Sequence, residues 1–311
     1  MTNGSIINTN GKKILLYRGN TENGSLSSTE YLPLSQFKVG VDNSTPNIAN
    51  NDLDNPIPIS NGTVCDDGSN NLTGSDGGDN TTDNILTYKE GAGVVDATAQ
   101  NLIANDTNAT KKWEIADLTT NGANAVSTKY ISQWLYIRTD DLGVTLAKFK
   151  SSGTCLEIRL GADTTANYYS QTLEASDLAV GWNLLCDNAL LSTWTTVGTP
   201  GTLNNFAIII TTNNATDEFI EGDVIYDLLR QWEASDLTKD FTTSYPTIDL
   251  TNLEVTTRAY LTSLEANGFL IDGLGFFNED TSPLMGSEDT MDGASKSDTD
   301  EFAFVVVDRL L

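Results

Sequence analysis

The stretch FLIDGLGFFNED, Phe269–Asp280, followed after an acidic loop by SKSDTDEFAFVVVDRLL, Ser295–Leu311, decides the fold class of this chain. Both runs are rich in β-branched and aromatic residues and are bounded by turn formers, which is the composition of strands. Side chains alternate along a strand, so Phe302, Phe304 and Val306 point one way while Ala303, Val305 and Val307 point the other. Both sets are apolar. The expectation is a strand covered on both faces, and a chain end tied into a sheet.

Working inward, Gly11–Arg18 (GKKILLYR) and Gln36–Val41 read as short strands, with a loop rich in Asn, Gly and Ser from Gly19 to Glu30. From Ile85 to about Trp232 β-runs recur at regular spacing. The clearest are Tyr130–Arg138, Thr154–Leu160, Trp182–Cys186, Phe206–Thr212 and Phe219–Leu229. In TCLEIRL, Leu156, Ile158 and Leu160 are expected to face in, and Cys155, Glu157 and Arg159 to face out. Tyr226–Glu233 has a second reading as a short helix, because Leu228, Leu229 and Trp232 would share one helical face. Helical periodicity is otherwise nearly absent. The expected class is all-β, and about 150 residues suits an antiparallel jelly roll of roughly eight strands.

Composition removes whole mechanisms. The chain has 311 residues and no histidine, so no Ser-His-Asp or Cys-His pair and no imidazole metal ligand can form. Three cysteines, Cys65, Cys155 and Cys186, cannot make a four-cysteine zinc site and lack framework spacing, so free thiols are expected, with a Cys155–Cys186 bridge as the alternative. Lys and Arg number 17 against 43 Asp and Glu, a formal net charge of -26 that repels phosphate backbones, and no basic patch offsets it. Nucleic acid is not an expected partner. No apolar run is long enough to span a bilayer, and Met1–Asn10 is too polar for a signal peptide, so no membrane insertion is expected.

Two groups of residues carry a family resemblance. The final runs resemble a recurrent C-terminal signature of bacteriophage virion proteins through Ile271, Gly273, Leu274, Gly275, Phe276 and Phe277, then Ser295, Lys296, Ser297 and Asp298; an acid often stands where Gly273 is. FKVGVDNSTPNIANNDLDNPIPI, Phe37–Ile59, resembles another phage-protein pattern through Phe37, Lys38, Val39, Gly40, Thr45, Pro46, Asp52, Leu53, Pro56, Ile57 and Pro58, with Asp52 and Leu53 adjacent as a departure in spacing. The resemblance implies that residues 1–62 and 240–311 form one discontinuous virion-anchoring β domain, a small β-sandwich. Residues 63–82 are then a linker rich in Asp, Gly and Asn, and residues 83–236 an inserted domain. Trp113, Gly181–Leu185 (GWNLL) and Asp223–Arg230 (DVIYDLLR) give that insert the landmarks of concanavalin-like or carbohydrate-binding-module jelly rolls. The likeness supports architecture rather than a ligand.

The candidate chemistry is sparse. Asp66, Asp67, Asp76, Asp79 and Asp83 lie in a Gly-rich segment that could ligate calcium or could be a solvated linker, and Glu279–Asp292, with Asp280, Glu288 and Asp289, is a second acidic loop of the same kind. A bound calcium would show as a melting temperature lowered by chelator. Tyr168, Tyr169, Trp194 and Trp232 fall in or beside expected loops, where rings can stack on a host surface glycan or serve as core and interface. Trp113, Trp134 and Trp182 read as core. Glu157, Asp163, Glu174 and Asp177 offer carboxylates for glycoside hydrolysis, but in so acidic a chain they discriminate nothing, and no enzyme is expected. The expected function is a structural component of a phage virion, in the neck, tail or capsid decoration. It would assemble as a homo-oligomer with other virion proteins; the alternative is a glycan-binding adhesin of the virion.

Overall fold

The computed structural model describes residues 3–7, 34–40, 52–53, 56–60, 62–68, 72–75, 99–105, 107–138, 144–186, 190–252, 254–267, 270–278, 285–296 and 299–309. Among them the chain is all-β, with one five-residue helix, α1 (Val144–Lys148), and every strand pairing antiparallel. It forms two compact units, one made of Met1–Asn61 with Ala234–Leu311 and the other of Gly62–Glu233. The strand expected at Gly11–Arg18 and the loop at Gly19–Glu30 lie outside the described residues.

In chain order, the first unit contributes β1 (Asn3–Ile7) and β2 (Leu34–Gly40). The second unit holds β3 (Thr63–Asp66), β4 (Thr73–Ser75), β5 (Gln100–Asn101), β6 (Thr110–Ile115), β7 (Tyr130–Ile137), β8 (Thr154–Gly161), β9 (Tyr168–Glu174), β10 (Gly181–Cys186), β11 (Thr195–Val197), β12 (Asn205–Thr211) and β13 (Val224–Trp232). The chain then supplies β14 (Lys239–Asp240), β15 (Thr247–Asp249), β16 (Glu254–Leu261), β17 (Leu270–Asn278), β18 (Met285–Ser295) and β19 (Phe302–Arg309).

The second unit is sandwich-like. One sheet runs β11-β9-β8-β12-β6-β4 and the other β10-β7-β13-β3, with β5 also on β13. Alternation decides what lies between them: Leu156, Ile158 and Leu160 of β8 and Phe206, Ile208 and Ile210 of β12 meet Ile131, Leu135 and Ile137 of β7 and Val224, Tyr226 and Leu229 of β13 in one buried cluster. Cys155, expected to face out, is buried in that cluster as a free thiol, because the β8–β9 register shifts between Thr154 and Leu156. Trp113 is fully buried with its indole N–H donated to the Ile103 carbonyl at 3.0 Å, and Trp134 is buried; the side chain of Trp182 lies outside the described residues.

Three expectations are corrected, one by a turn and two by strand pairing. The run Phe219–Leu229 does not begin a strand at Phe219: Gly222 has positive φ, the Asp223 N–H donates to the Ile220 carbonyl, and the Asp223 carboxylate accepts the Ile220 N–H. That turn delays the strand to Val224. Tyr226–Glu233 is not a helix, since β13 extends through Trp232 between β7 and β3 and all nine of its residues are buried. Its one irregularity is a bulge between Asp227 and Arg230 with Leu228 at φ 47°. Thr63–Asp66 and Thr73–Ser75, read as linker, are likewise strands, because each supplies an edge to a sheet.

The first unit is organised by β17. In a five-stranded sheet of order β1-β18-β17-β2-β14, Phe37 lies opposite Phe276, Lys38 opposite Gly275, Val39 opposite Leu274 and Gly40 opposite Gly273. The two sequence patterns are therefore neighbours in one ladder. Gly275 allows this pairing to pack tightly, since a Cβ there would meet Phe277 at 2.8 Å, Met285 at 3.1 Å and Leu53 at 3.3 Å. Leu53, Phe277 and Met285 form the small core beneath it. The buried segment Pro56–Ile59 then ties the unit's two halves together through backbone bonds from Ile57 to Val39 (3.0 Å), Ile59 to Asp236 (2.7 Å) and Ala266 to Ile59 (2.9 Å). The expected acidic loop Glu279–Asp292 is partly strand: Met285–Ser295 is β18, and Glu288 and Asp289 are buried.

Gly275→Val should unfold the first unit, read as loss of soluble expression. Phe206→Ala should destabilise the second unit by about 3–5 kcal/mol in chemical denaturation, because the ring is wholly buried. Burial raises the Cys65 thiol to about 12 and the Cys155 thiol to about 11, and it also raises the Tyr226 hydroxyl. The folded state therefore holds protons that the unfolded chain releases, so stability should be complete below about pH 9 and fall as pH climbs through 11 to 12. Alkaline unfolding at fixed urea would check this, with flat stability across that window as the contrary outcome.

Candidate assembly edge

The terminal strand β19, Phe302–Arg309, lies in the first unit, in a three-stranded sheet of order β15-β16-β19. An Asx turn closes its hairpin. The Asp249 carboxylate accepts the Thr251 N–H at 2.8 Å, the Asn252 N–H at 3.2 Å and the Asn252 amide at 2.8 Å, and these donors hold its carboxyl below the usual carboxylate range. β19 follows β16 for eight residues, from Glu254 opposite Arg309 to Leu261 opposite Phe302.

That register sorts the two faces. One carries Leu261, Ala259 and Thr257, all buried, beside Phe302, Phe304 and Val306, which are half-buried, with the two phenylalanine rings edge to face at 6.2 Å. The other carries Ala303, Val305 and Val307 opposite Tyr260, Arg258 and Thr256. This second face is not covered. Val305 is 57% and Val307 52% exposed, which corrects the expectation of a strand buried on both sides. Nothing in local alternation distinguishes a covered apolar face from an open one.

The base of the sheet is anchored by polar contacts. Lys239 Nζ donates to the Tyr260 carbonyl at 2.8 Å and to the Glu265 carboxylate at 2.6 Å, and the Thr242 N–H donates to the Arg258 carbonyl at 2.9 Å. Burial alone would raise the Glu265 carboxyl, but hydrogen bonds from Lys239 and the Thr262 N–H outweigh it and hold it low. A hydrogen bond with Glu301 pushes the Tyr260 hydroxyl up. At the other end of the sheet Ile248 is 69% and Leu250 81% exposed.

Among the described residues β19 pairs only with β16, and none of them pairs with its second edge. Free edges are usually blunted by charge, proline or a bulge. From Phe302 to Val307 this one has none: six apolar residues run without interruption and in even register with β16. An edge of this kind, flanked by exposed valines, is chemically suited to accept another strand.

The residues singled out from sequence sit elsewhere. Trp232 is 1% exposed and stacked on Tyr130 with centroids 4.4 Å apart, so it offers no face to a sugar. Trp194 and Tyr168 are buried, Tyr168 beneath the Arg159 guanidinium at 4.4 Å, and Tyr169 packs against the central cluster. Tyr168 and Tyr169 open β9 instead of lying in a loop. Asp66 is buried and accepts the Tyr226 hydroxyl at 2.8 Å and the Gly68 N–H at 3.2 Å, while Asp67 is half-buried. Asp76, Asp79, Asp83 and Asp280 lie outside the described residues, and among those described no cluster of three metal-ligating side chains occurs.

The acids considered for hydrolysis have structural employment. Glu157 grips Arg159 through two bonds of 2.8 Å, and the Asp163 carboxylate accepts three backbone N–H bonds from Thr165, Ala166 and Asn167, which depress its carboxyl. Glu174 and Asp177 cap a short helical turn. No protein-family model matches the chain, and no curated protein matches its sequence.

The two faces of the sheet should respond differently to substitution. Compared as monomers at high dilution, Val305→Lys with Val307→Lys should leave stability within about 0.5 kcal/mol of the parent, since both side chains of the single chain are largely in water. Leu261→Ala should cost about 2–5 kcal/mol. Denaturant midpoints of the two variants, measured side by side, check the assignment.

Proposed function

We propose that the chain is a structural component of a bacteriophage virion that assembles by strand addition along β19. The observation that carries this reading is the apolar run from Phe302 to Val307, which among the described residues pairs on one edge only, with Val305 and Val307 exposed on it. The resemblance of Phe37–Gly40 and Ile271–Phe277 to virion-protein patterns supports it, and those two segments lie against each other in one sheet. In this reading residues 1–62 and 240–311 are a discontinuous β-sandwich that anchors the chain, and the middle of the chain is an inserted jelly roll displayed on the particle.

The partner is a second copy of this chain in a symmetric ring or trimer, which would bury the exposed valines in the way oligomer interfaces bury apolar strips. No bond is made or broken; burial and backbone pairing supply the affinity. Light scattering on the purified protein should give a closed oligomer, and the Val305→Lys, Val307→Lys variant should be monomeric with an unchanged circular dichroism spectrum. A parent protein that stays monomeric at high concentration would sink the proposal.

A further inference from the structure

A second feature of the first unit points to covalent chemistry and does not depend on the assembly reading. Asn267, in the turn after β16, and Lys296, at the exit of β18, are both buried, with relative exposures of 4% and 1%. Lys296 Nζ lies 2.8 Å from Asn267 Oδ1 and donates a further bond to the Asp300 carbonyl at 2.7 Å. Asn267 Nδ2 donates to the Ser263 carbonyl at 2.7 Å. The carboxamide is thus clamped with its oxygen toward the amine and its nitrogen turned away. The Phe302 ring lies 5.9 Å from Nζ, and Ala266, next to Asn267 in sequence, is buried as well.

Burying a lysine is costly unless its contacts compensate. Here the amine is hydrogen-bonded to the oxygen of an amide whose carbon is electrophilic, and both side chains are almost wholly buried. Lysine amines are established nucleophiles toward carbonyl carbon, and holding the reacting atoms together removes most of the entropic barrier.

We propose that Lys296 and Asn267 condense spontaneously into an intramolecular isopeptide bond. Nζ attacks Cγ of Asn267, the Nζ–Cγ bond forms and the Cγ–Nδ2 bond breaks. Two of the three protons of the lysine ammonium pass to the departing nitrogen, which leaves as ammonium, so charge and atoms balance with no oxidant or co-reactant. Attack requires the amine, hydrogen-bonded at Oδ1, to shift onto the face of the carboxamide over Cγ. The product ties the β16–β17 turn to the segment that feeds β19 across 29 positions of sequence, restraining the base of that strand in every unfolded conformation as a disulfide would.

Mass spectrometry of the unmodified full-length protein tests this directly. The intact mass should be short by one ammonia. Trypsin should fail to cut after Lys296, so residues 259–309 should appear as one peptide lacking one ammonia, and fragmentation should place the branch between Asn267 and Lys296. Lys296→Arg and Asn267→Ala should each restore the full mass. A full parent mass with clean peptides 259–296 and 297–309 overturns the proposal. So does ammonia loss with Lys296 still cleavable, since Asn267 precedes Gly268 and cyclisation at that pair would also release ammonia. The parent digest decides the matter even if a variant fails to fold.

Discussion

Pairing between β2 and β17 is the constraint on which the first unit depends. Phe37–Gly40 and Gly273–Phe276 come from distant parts of the chain, yet they form a continuous ladder with close packing at Gly275. Closing so long an excursion costs little more than closing a short one, because loop entropy grows only with the logarithm of length. What the pairing does require is that the chain leave and return at neighbouring points. Ile59 bonded to Asp236, with Ser60 Oγ on the Asp236 carboxylate at 2.7 Å, provides that. Lys38, bonded to Asp52 and lying over the Phe277 ring, pins the same region from the side.

The charge of the chain and the character of β19 act on different scales. A net charge of -26 keeps copies apart at long range and screens with salt. The strip from Phe302 to Val307 carries no charge at all, so contact there meets no local repulsion. Charge then governs solubility and encounter, while burial governs the contact itself. The Lys239, Glu265 and Tyr260 contacts hold the base of the sheet and leave its outer face to water.

Much of the fold is legible in the sequence. The inward set Leu156, Ile158 and Leu160, the run Phe206–Thr212 and the core placement of Trp113 follow from alternation and from the size of the side chains. The start of β13 was not legible, because the Glu-Gly-Asp turn overrode an apolar residue at Phe219. Cys155 was misplaced for a related reason: a bulge shifts parity, and a bulge leaves no mark in an alternating run. The four candidate sugar-stacking rings stand out by their neighbourhood in sequence, whereas the burial of Tyr168, Trp194 and Trp232 depends on segments that arrive from elsewhere, such as Tyr130 over Trp232.

By itself the sequence determined the all-β class, the positions of the main strands and the absence of imidazole chemistry, since each depends on local period or on composition. Only the tertiary structure decided that Val305 and Val307 face water while Phe304 leans on Ala259, and that Lys296 meets Asn267. Alternation states which side chains share a face. What covers that face, and which buried groups touch, depends on segments distant in sequence that the fold brings together.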